Sequence, residues 1–508
     1  MTKEEAEAAV LAFENRVRSQ MRAFSPESFA LEVARRFRLG QADTLAFSQH
    51  PPHFLIHALE SNCAYFQPWR FRPLTDNDFA TTINLWHDFC DPVLMGTLKD
   101  RTHLFEFEQY MHRTQMELQG EGSHCRFGRA VRMFGDPSSI PRAAAGFVAK
   151  YGVSTREWIK LLLVVHSRTG EARHNRLPPS GIRRQDLESV VELGIPLSDL
   201  DSFFREIART WTEIGASYRG IREASKTDRR FGPLTWSQRR PFLAKYPIMH
   251  MAHGYLVPAP PLLLRLMGDG LFERFDAIES EEVRRDLGRQ FERYVADMIR
   301  FHLPSQRLVA AAQLERADEP SCDFVLDLPD ALLLIECKAV MLDRDLVSER
   351  AVINSAAVQR RIDGFVQIVR TAERIRAGGY PADLLPREKP ILGLVVTLGN
   401  VPGADNGAVV DATNARFESE GVTSQALACM THRPQGFDAE ALEYLVLLLQ
   451  RSTVKVTDLF TEKLAVNRWH VGEWSTYLNK HAQKHKPLDL TFWRGPFIDL
   501  IEEMRLRE

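Results

Sequence analysis

No excess of either charge marks this chain. Across 508 residues, 65 Lys and Arg stand against 67 Asp and Glu, a net charge of -2. A global field that draws in nucleic acid is thereby excluded, and any such attraction must come from local patches. Cysteine is scarce, with six residues and no C-x-x-C pair. A disulfide scaffold does not fit a chain of this size, and a reduced, cytoplasmic protein is expected. His87-x-x-Cys90 and His124-Cys125 lack the two tight ligand pairs of a structural zinc site, so they read as packed histidines and buried thiols. No apolar run approaches the roughly 20 residues that span a membrane. The segment MTKEEAEAAV is acidic and helical, without a signal-peptide pattern. No membrane partner is expected. Nucleotide-triphosphate chemistry on a P-loop, zincin chemistry and α/β-hydrolase chemistry are also unsupported, because G-x-x-x-x-G-K-[ST], H-E-x-x-H and G-x-S-x-G are all missing.

What is present is enough for sizeable cores, with 44% hydrophobic residues. The length implies at least two domains. Residues 1–240 read as a mainly helical domain for recognition, partner binding or regulation, and residues 241–508 as a second domain with a core at about 276–450. Val10, Leu11, Phe13, Val17 and Met21 recur at helical spacing, and Ser25-Pro26-Glu27 starts another helix. Tyr65, Phe66, Trp69 and Phe71 form an aromatic run that suits a core better than a base-stacking platform. Basic clusters follow: Arg168, Arg173, His174, Arg176, Arg183 and Arg184, then nine Lys and Arg against four Asp and Glu from Arg205 to Arg240. They are either phosphate contacts or solvated helix faces.

The second domain opens with short strands near YPIMHM and HGYLVPAPP and a helix over Glu281–Leu303. A strand over Arg307–Leu314 precedes the most informative stretch, SCDFVLDLPDALLLIECKAV, from Ser321 to Val340. Two apolar runs flank Pro329-Asp330, which predicts a β-hairpin. With those two as the loop, Leu328 faces Ala331 and Asp323 faces Glu336, about 4.5–5.5 Å apart at Cβ. Lys338 shares the face of Glu336. Carboxylates so close repel unless a cation lies between them or one takes up a proton.

Asp323 and the Glu336-Cys337-Lys338 run resemble the motif of the PD-(D/E)XK nuclease superfamily. Cys322 stands where the family has proline. The resemblance implies a restriction-endonuclease-like α/β fold, a mixed sheet flanked by helices, in the C-terminal domain. It implies Mg²⁺, for which Mn²⁺ can substitute, held by Asp323, Glu336 and the main-chain carbonyl of Cys337. Lys338 would attend the attacking water. Glu292, on the preceding helix, is the candidate for the extra glutamate that family members often bring to the metal. Arg289 one turn earlier offers it an ordinary surface pairing instead. Gln359 is the candidate for the orienting glutamine of the helix after E-x-K, expected over Arg344–Ile375.

Strands are further expected at Ile391–Val401 and Ser424–Thr431, then a helical tail. Its basic and aromatic residues, from Arg468 and Trp469 to Trp493 and Arg494, suit either a single-strand groove or a packed amphipathic helix. The expected function is metal-dependent hydrolysis of nucleic-acid phosphodiesters, DNA favoured over RNA. By analogy the setting is bacterial restriction, antiviral defence or repair, with a protein partner or a homodimer in view. The alternative is a catalytically silent nuclease fold that binds nucleic acid or protein.

Overall fold

The computed structural model describes residues 3–42, 52–97, 124–171, 181–182, 187–226, 240–252, 254–314, 321–341, 352–399, 407–451, 453–465, 474–484 and 488–505. It is a mixed α/β protein divided into two compact units, each assembled from separated stretches. The first comprises Met1–Ser123, Ala144–Arg274 and Ile498–Glu508, and the second His124–Ala143 and Phe275–Phe497. A single cut at 240/241 does not describe them. The short strand Ile248–Met251 finds its ladder partners in Ala208–Thr210 and Gly254–Leu256, which holds 241–274 in the first unit. Among the described residues, no helix is long and apolar enough to cross a membrane.

The first unit is built around the helix Pro52–Tyr65, buried along its whole length. Helices Lys3–Met21, Pro26–Ala42, Asp76–Thr97 and Trp211–Lys226 surround it. Trp211–Lys226 approaches closely at Gly215, where a Cβ would lie 2.3 Å from the Cys63 carbonyl oxygen. The central helix carries a buried carboxylate, Glu60, which accepts the backbone N–H of Leu243 at 2.8 Å. That donor opens the short helix Phe242–Lys245, whose first N–H groups have no partner within the helix itself. Four short strands complete the unit in the order Gly181–Ile182, Gly254–Leu256, Ile248–Met251, Ala208–Thr210.

The second unit holds a five-stranded mixed sheet. In chain order its elements are α1 (His124–Phe134), α2 (Glu281–His302), β1 (Arg307–Ala310), β2 (Phe324–Asp327), β3 (Leu332–Lys338), α3 (Ala356–Arg376), β4 (Ile391–Thr397), α4 (Gly407–Ser419), β5 (Gln435–Asp438), α5 (Ala439–Leu449), α6 (Val456–Ala465) and α7 (Trp474–Lys484). The strands lie in sequence order, β1 to β5. β1–β2 and β2–β3 are antiparallel, whereas β3–β4 and β4–β5 are parallel. β3 and β4 are apolar almost throughout and buried, as central strands covered on both faces must be. α3 packs on β3 and β4, with Val325, Leu334, Phe365, Ile368, Val369 and Val395 in the layer between.

Three expected elements differ. The strand from Arg307 stops at Ala310 and gives way to a 3₁₀ turn. α3 begins at Ala356, where the Ser355 hydroxyl accepts the Val358 N–H, while residues 342–351 lie outside the described part. The segment Ser424–Thr431 is no strand. Thr423 caps a one-turn helix, Ser424–Leu427, and the fifth strand is the later Gln435–Asp438.

Candidate active site

The hairpin holds the expected register. Phe324 pairs with Ile335 and Val325 with Leu334, and the Leu328 N–H donates to the Ala331 carbonyl at 2.9 Å. Continued outward by one residue, the same register sets Asp323 opposite Glu336. The two are tied through the backbone. The Asp323 N–H donates to Glu336 Oε2 at 3.2 Å, and the Cys337 N–H donates to Asp323 Oδ2 at 2.7 Å. Lys338 Nζ lies 2.5 Å from Glu336 Oε1. Asp323, Glu336 and Lys338 therefore meet at the end of the hairpin away from its turn, with Glu336 only 1% exposed.

α3 closes over this cluster. Gly364 allows the approach, since a Cβ there would lie 2.9 Å from Val395 and 3.2 Å from Glu336 Cγ. One turn on, Gln367 Oε1 accepts from Lys338 Nζ at 3.4 Å while its Nε2 donates to the Ser321 carbonyl at 3.0 Å. A further turn on, the Thr371 hydroxyl accepts the Cys322 N–H at 3.0 Å. The expected glutamine, Gln359, sits elsewhere: in the first turn of α3 its Nε2 donates to the Ile353 carbonyl at 2.8 Å. Gln367 is the residue that sequence reading missed. Its signal was present as a polar stripe, Gly364, Gln367 and Thr371, along an otherwise apolar helix face.

The electrostatics carry the strain of crowding. Burial and then the Asp323 charge raise the Glu336 carboxyl well above the ordinary range, against the pull of Lys338. Burial lowers Lys338, but Glu336 and Asp323 outweigh it and the net shift is upward. Glu292 on α2 is half-buried and feels the same cluster. Burial, and next the Asp323 charge, push it up to about 7, opposed by Lys338 and Arg289. Burial pushes the Cys322 thiol up, so this cysteine is an inert packing group.

Among the described residues, no group of three or more His, Cys, Asp or Glu side chains is placed to hold a metal ion. Glu292 therefore stands beside the Asp323–Glu336 pair and not within a carboxylate cage. The donor chemistry of the pair suits a hard cation nonetheless. It offers carboxyl oxygens with lone pairs to spare, a neighbouring main-chain carbonyl, and two acids against one ammonium.

The other sequence candidates separate cleanly. Trp474 and Tyr477 of α7 and Trp493 are buried, so the described tail aromatics are core and not a groove. In the first unit Phe66 packs on Trp211, whereas Trp69 is 78% exposed. Of the basic stretch, Arg222 pairs with Glu14, Arg219 donates to the Ala64 carbonyl, Arg209 lies over Tyr246 and Arg240 pairs with Glu273. Arg173, His174, Arg176, Arg183, Arg184, Arg229, Arg230, Arg239, Arg468 and Trp469 lie outside the described residues, as do the side chains of His87, Cys90 and His124. No family model, curated protein or solved structure matches the chain.

Proposed function

We propose that the second unit is a restriction-endonuclease-like domain and that the protein is a metal-dependent nuclease acting on phosphodiester bonds, DNA favoured. The supporting observation is the meeting of Asp323, Glu336 and Lys338 at the open end of one hairpin in a mixed sheet, where two acids, one buried and one half-buried, stand against a single ammonium.

Asp323, Glu336 and the main-chain carbonyl of Cys337 would hold Mg²⁺ or Mn²⁺, with Glu292 alongside. Once bound, such an ion polarises a phosphoryl oxygen and eases deprotonation of water. The remaining work falls to the chain. Glu336 is enclosed and its carboxyl is raised by burial and by Asp323, so it keeps a proton until a cation beside it favours the charged form. Lys338 stays protonated through its carboxylate neighbours and offers its charge to the oxygens that become more negative as the phosphorus is attacked. Gln367 bridges Lys338 and the Ser321 carbonyl, which fixes where the ammonium points. Glu292 changes protonation near neutrality and can take a proton from a nearby water.

The test is cleavage of plasmid, linear duplex, single-stranded DNA and RNA with Mg²⁺, Mn²⁺ or EDTA, wild type beside Lys338→Ala. Cutting that requires the metal and disappears in the variant is expected. Cutting that survives in EDTA, or in folded Lys338→Ala, would sink the assignment. Tight binding without cutting by wild type would favour the silent-fold alternative.

A further inference from the structure

A cavity of about 300 Å³ opens in the second unit among α3, α4, α6 and the start of β5. Its size sits at the lower end for small-molecule sites. Phe365 and Phe417 give it ring walls, and Gln435 gives it an amide held in place by the Arg433 carbonyl, which its Nε2 meets at 2.9 Å, and by Trp474 Nε1, 3.4 Å from its Oε1. Lys463 and Arg433 bring positive charge, and Lys463 is buried, 2% exposed, with its ammonium 4.7 Å from the Trp474 ring centre. His432 also lines the cavity, and its Nε2 is buried with no hydrogen-bond partner among the described residues. A buried polar atom left in this state costs free energy that a ligand can recover.

These groups ask for different things of one guest. Aromatic walls stack a flat ring. An amide, both donor and acceptor, reads the edge of a ring that carries its own donors and acceptors. Ammonium and guanidinium groups take an anion, phosphate above all. We propose that this cavity is a second ligand site that binds a nucleoside monophosphate, its base between the phenylalanines and its phosphate at Lys463 and Arg433. The guest is either a free nucleotide or the phosphorylated end of a strand, which present the same chemistry. The site is separate from Asp323 and Glu336, so it does not rest on the nuclease assignment.

The experiment is calorimetric titration of the full chain in EDTA with AMP, CMP, GMP and UMP, with phosphate and adenosine as half-ligands, and with a 5′-phosphorylated trinucleotide. Two variants accompany it. Val410→Trp fills the rim from a position 39% exposed, which adds the bulk at the surface and not in the core. Arg433→Gln removes a charge that is exposed and bonded to Asn414. Saturable binding of at least one nucleotide is expected, weakened about tenfold or more in both variants at unchanged melting temperature. Stronger binding of the trinucleotide would make the strand end the source, and preference for the mononucleotide a free effector. Three results would overturn the proposal: no binding of any nucleotide at about millimolar concentration, affinity unchanged in Val410→Trp, or phosphate or adenosine alone binding as well as the whole. Because no metal is present, the outcome is independent of whether the protein cuts nucleic acid.

Discussion

Glu60 and Glu336 are both glutamates cut off from water, one in each unit. Burial raises both carboxyls above their ordinary range. Their company differs. Glu60 faces backbone N–H groups of Leu243 and Phe242 and satisfies the start of a helix. Glu336 faces Asp323, a second carboxylate, with Lys338 as partial compensation. The first arrangement resolves an electrostatic debt within the fold. The second leaves one outstanding, at a point where α2 and α3 add a glutamate and a glutamine. A buried acid alone is therefore poor grounds for a site, and a buried acid beside its own kind is much better grounds.

The sharpest way to break this contrast is to remove each acid. Asp323→Asn is expected to lower the cleavage rate by at least about a hundredfold, the scale of losing one group that acts on transition-state charge. Glu60→Leu should leave cleavage by the folded protein untouched while costing about 1–3 kcal/mol for each orphaned amide, read by urea unfolding. Loss of cutting in folded Glu60→Leu would collapse the distinction.

Next in size is Gly364→Ala. The added methyl meets Val395 and Glu336, so α3 must shift away from the cluster. A loss of about 1–3 kcal/mol is expected from overpacking. The cleavage rate should fall as well, measured alongside unfolding. Stability lost at full activity would show that α3 does not position Glu336.

A pH experiment sharpens the contrast further. The Glu292 carboxyl moves from 4.5 to about 7 on folding. Its pKa is raised, so its contribution to stability is complete below the unfolded value and is lost as pH climbs through the folded one. In EDTA, wild type should melt lower at about pH 8 than at about pH 5, and Glu292→Gln should flatten that slope. Mg²⁺ should restore the melting temperature at the higher pH, because a cation binds the deprotonated acids. Glu60 titrates in the same sense at about 8, but Mg²⁺ should not rescue its share. The smallest effect distinguishes two glutamines. Gln367→Ala is expected to slow cleavage by about tenfold, typical of a residue that orients another, and Gln359→Ala to leave it unchanged.

Much of the second unit was legible because strand side chains alternate strictly. Pro329-Asp330 set the turn, and counting outward from it pairs Asp323 with Glu336, the register of the hairpin. The register of α3 against the sheet was not legible. It depends on Gly364 nesting against Val395, a contact between residues far apart in sequence, and that contact made Gln367 and not Gln359 the neighbour of Lys338. SQALACMT misled because a short apolar run suits a strand or a helical turn equally, and the Thr423 cap decided the matter. QGFD escaped notice as a strand because it is brief, carries a glycine and owes its pairing to β4. The tail was ambiguous for another reason: rings that stack on bases and rings that fill cores are the same rings, and only burial separates them.

The hairpin is also moored at its turn. Asp330 accepts from the Thr457 N–H at 2.9 Å and its hydroxyl at 2.8 Å, and Lys389 Nζ reaches Asp327 at 2.6 Å and the Leu328 carbonyl at 2.7 Å. With one end fixed, the place of each acid at the other end is a matter of counting residues along its arm. The site is thus written into the chain as a length. Apolar letters between mooring and site can be exchanged for one another, but an insertion or deletion of a single residue in either arm turns one acid to the opposite face of the sheet. Heritable change that keeps the reading length is forgiven here, and change that alters it is not.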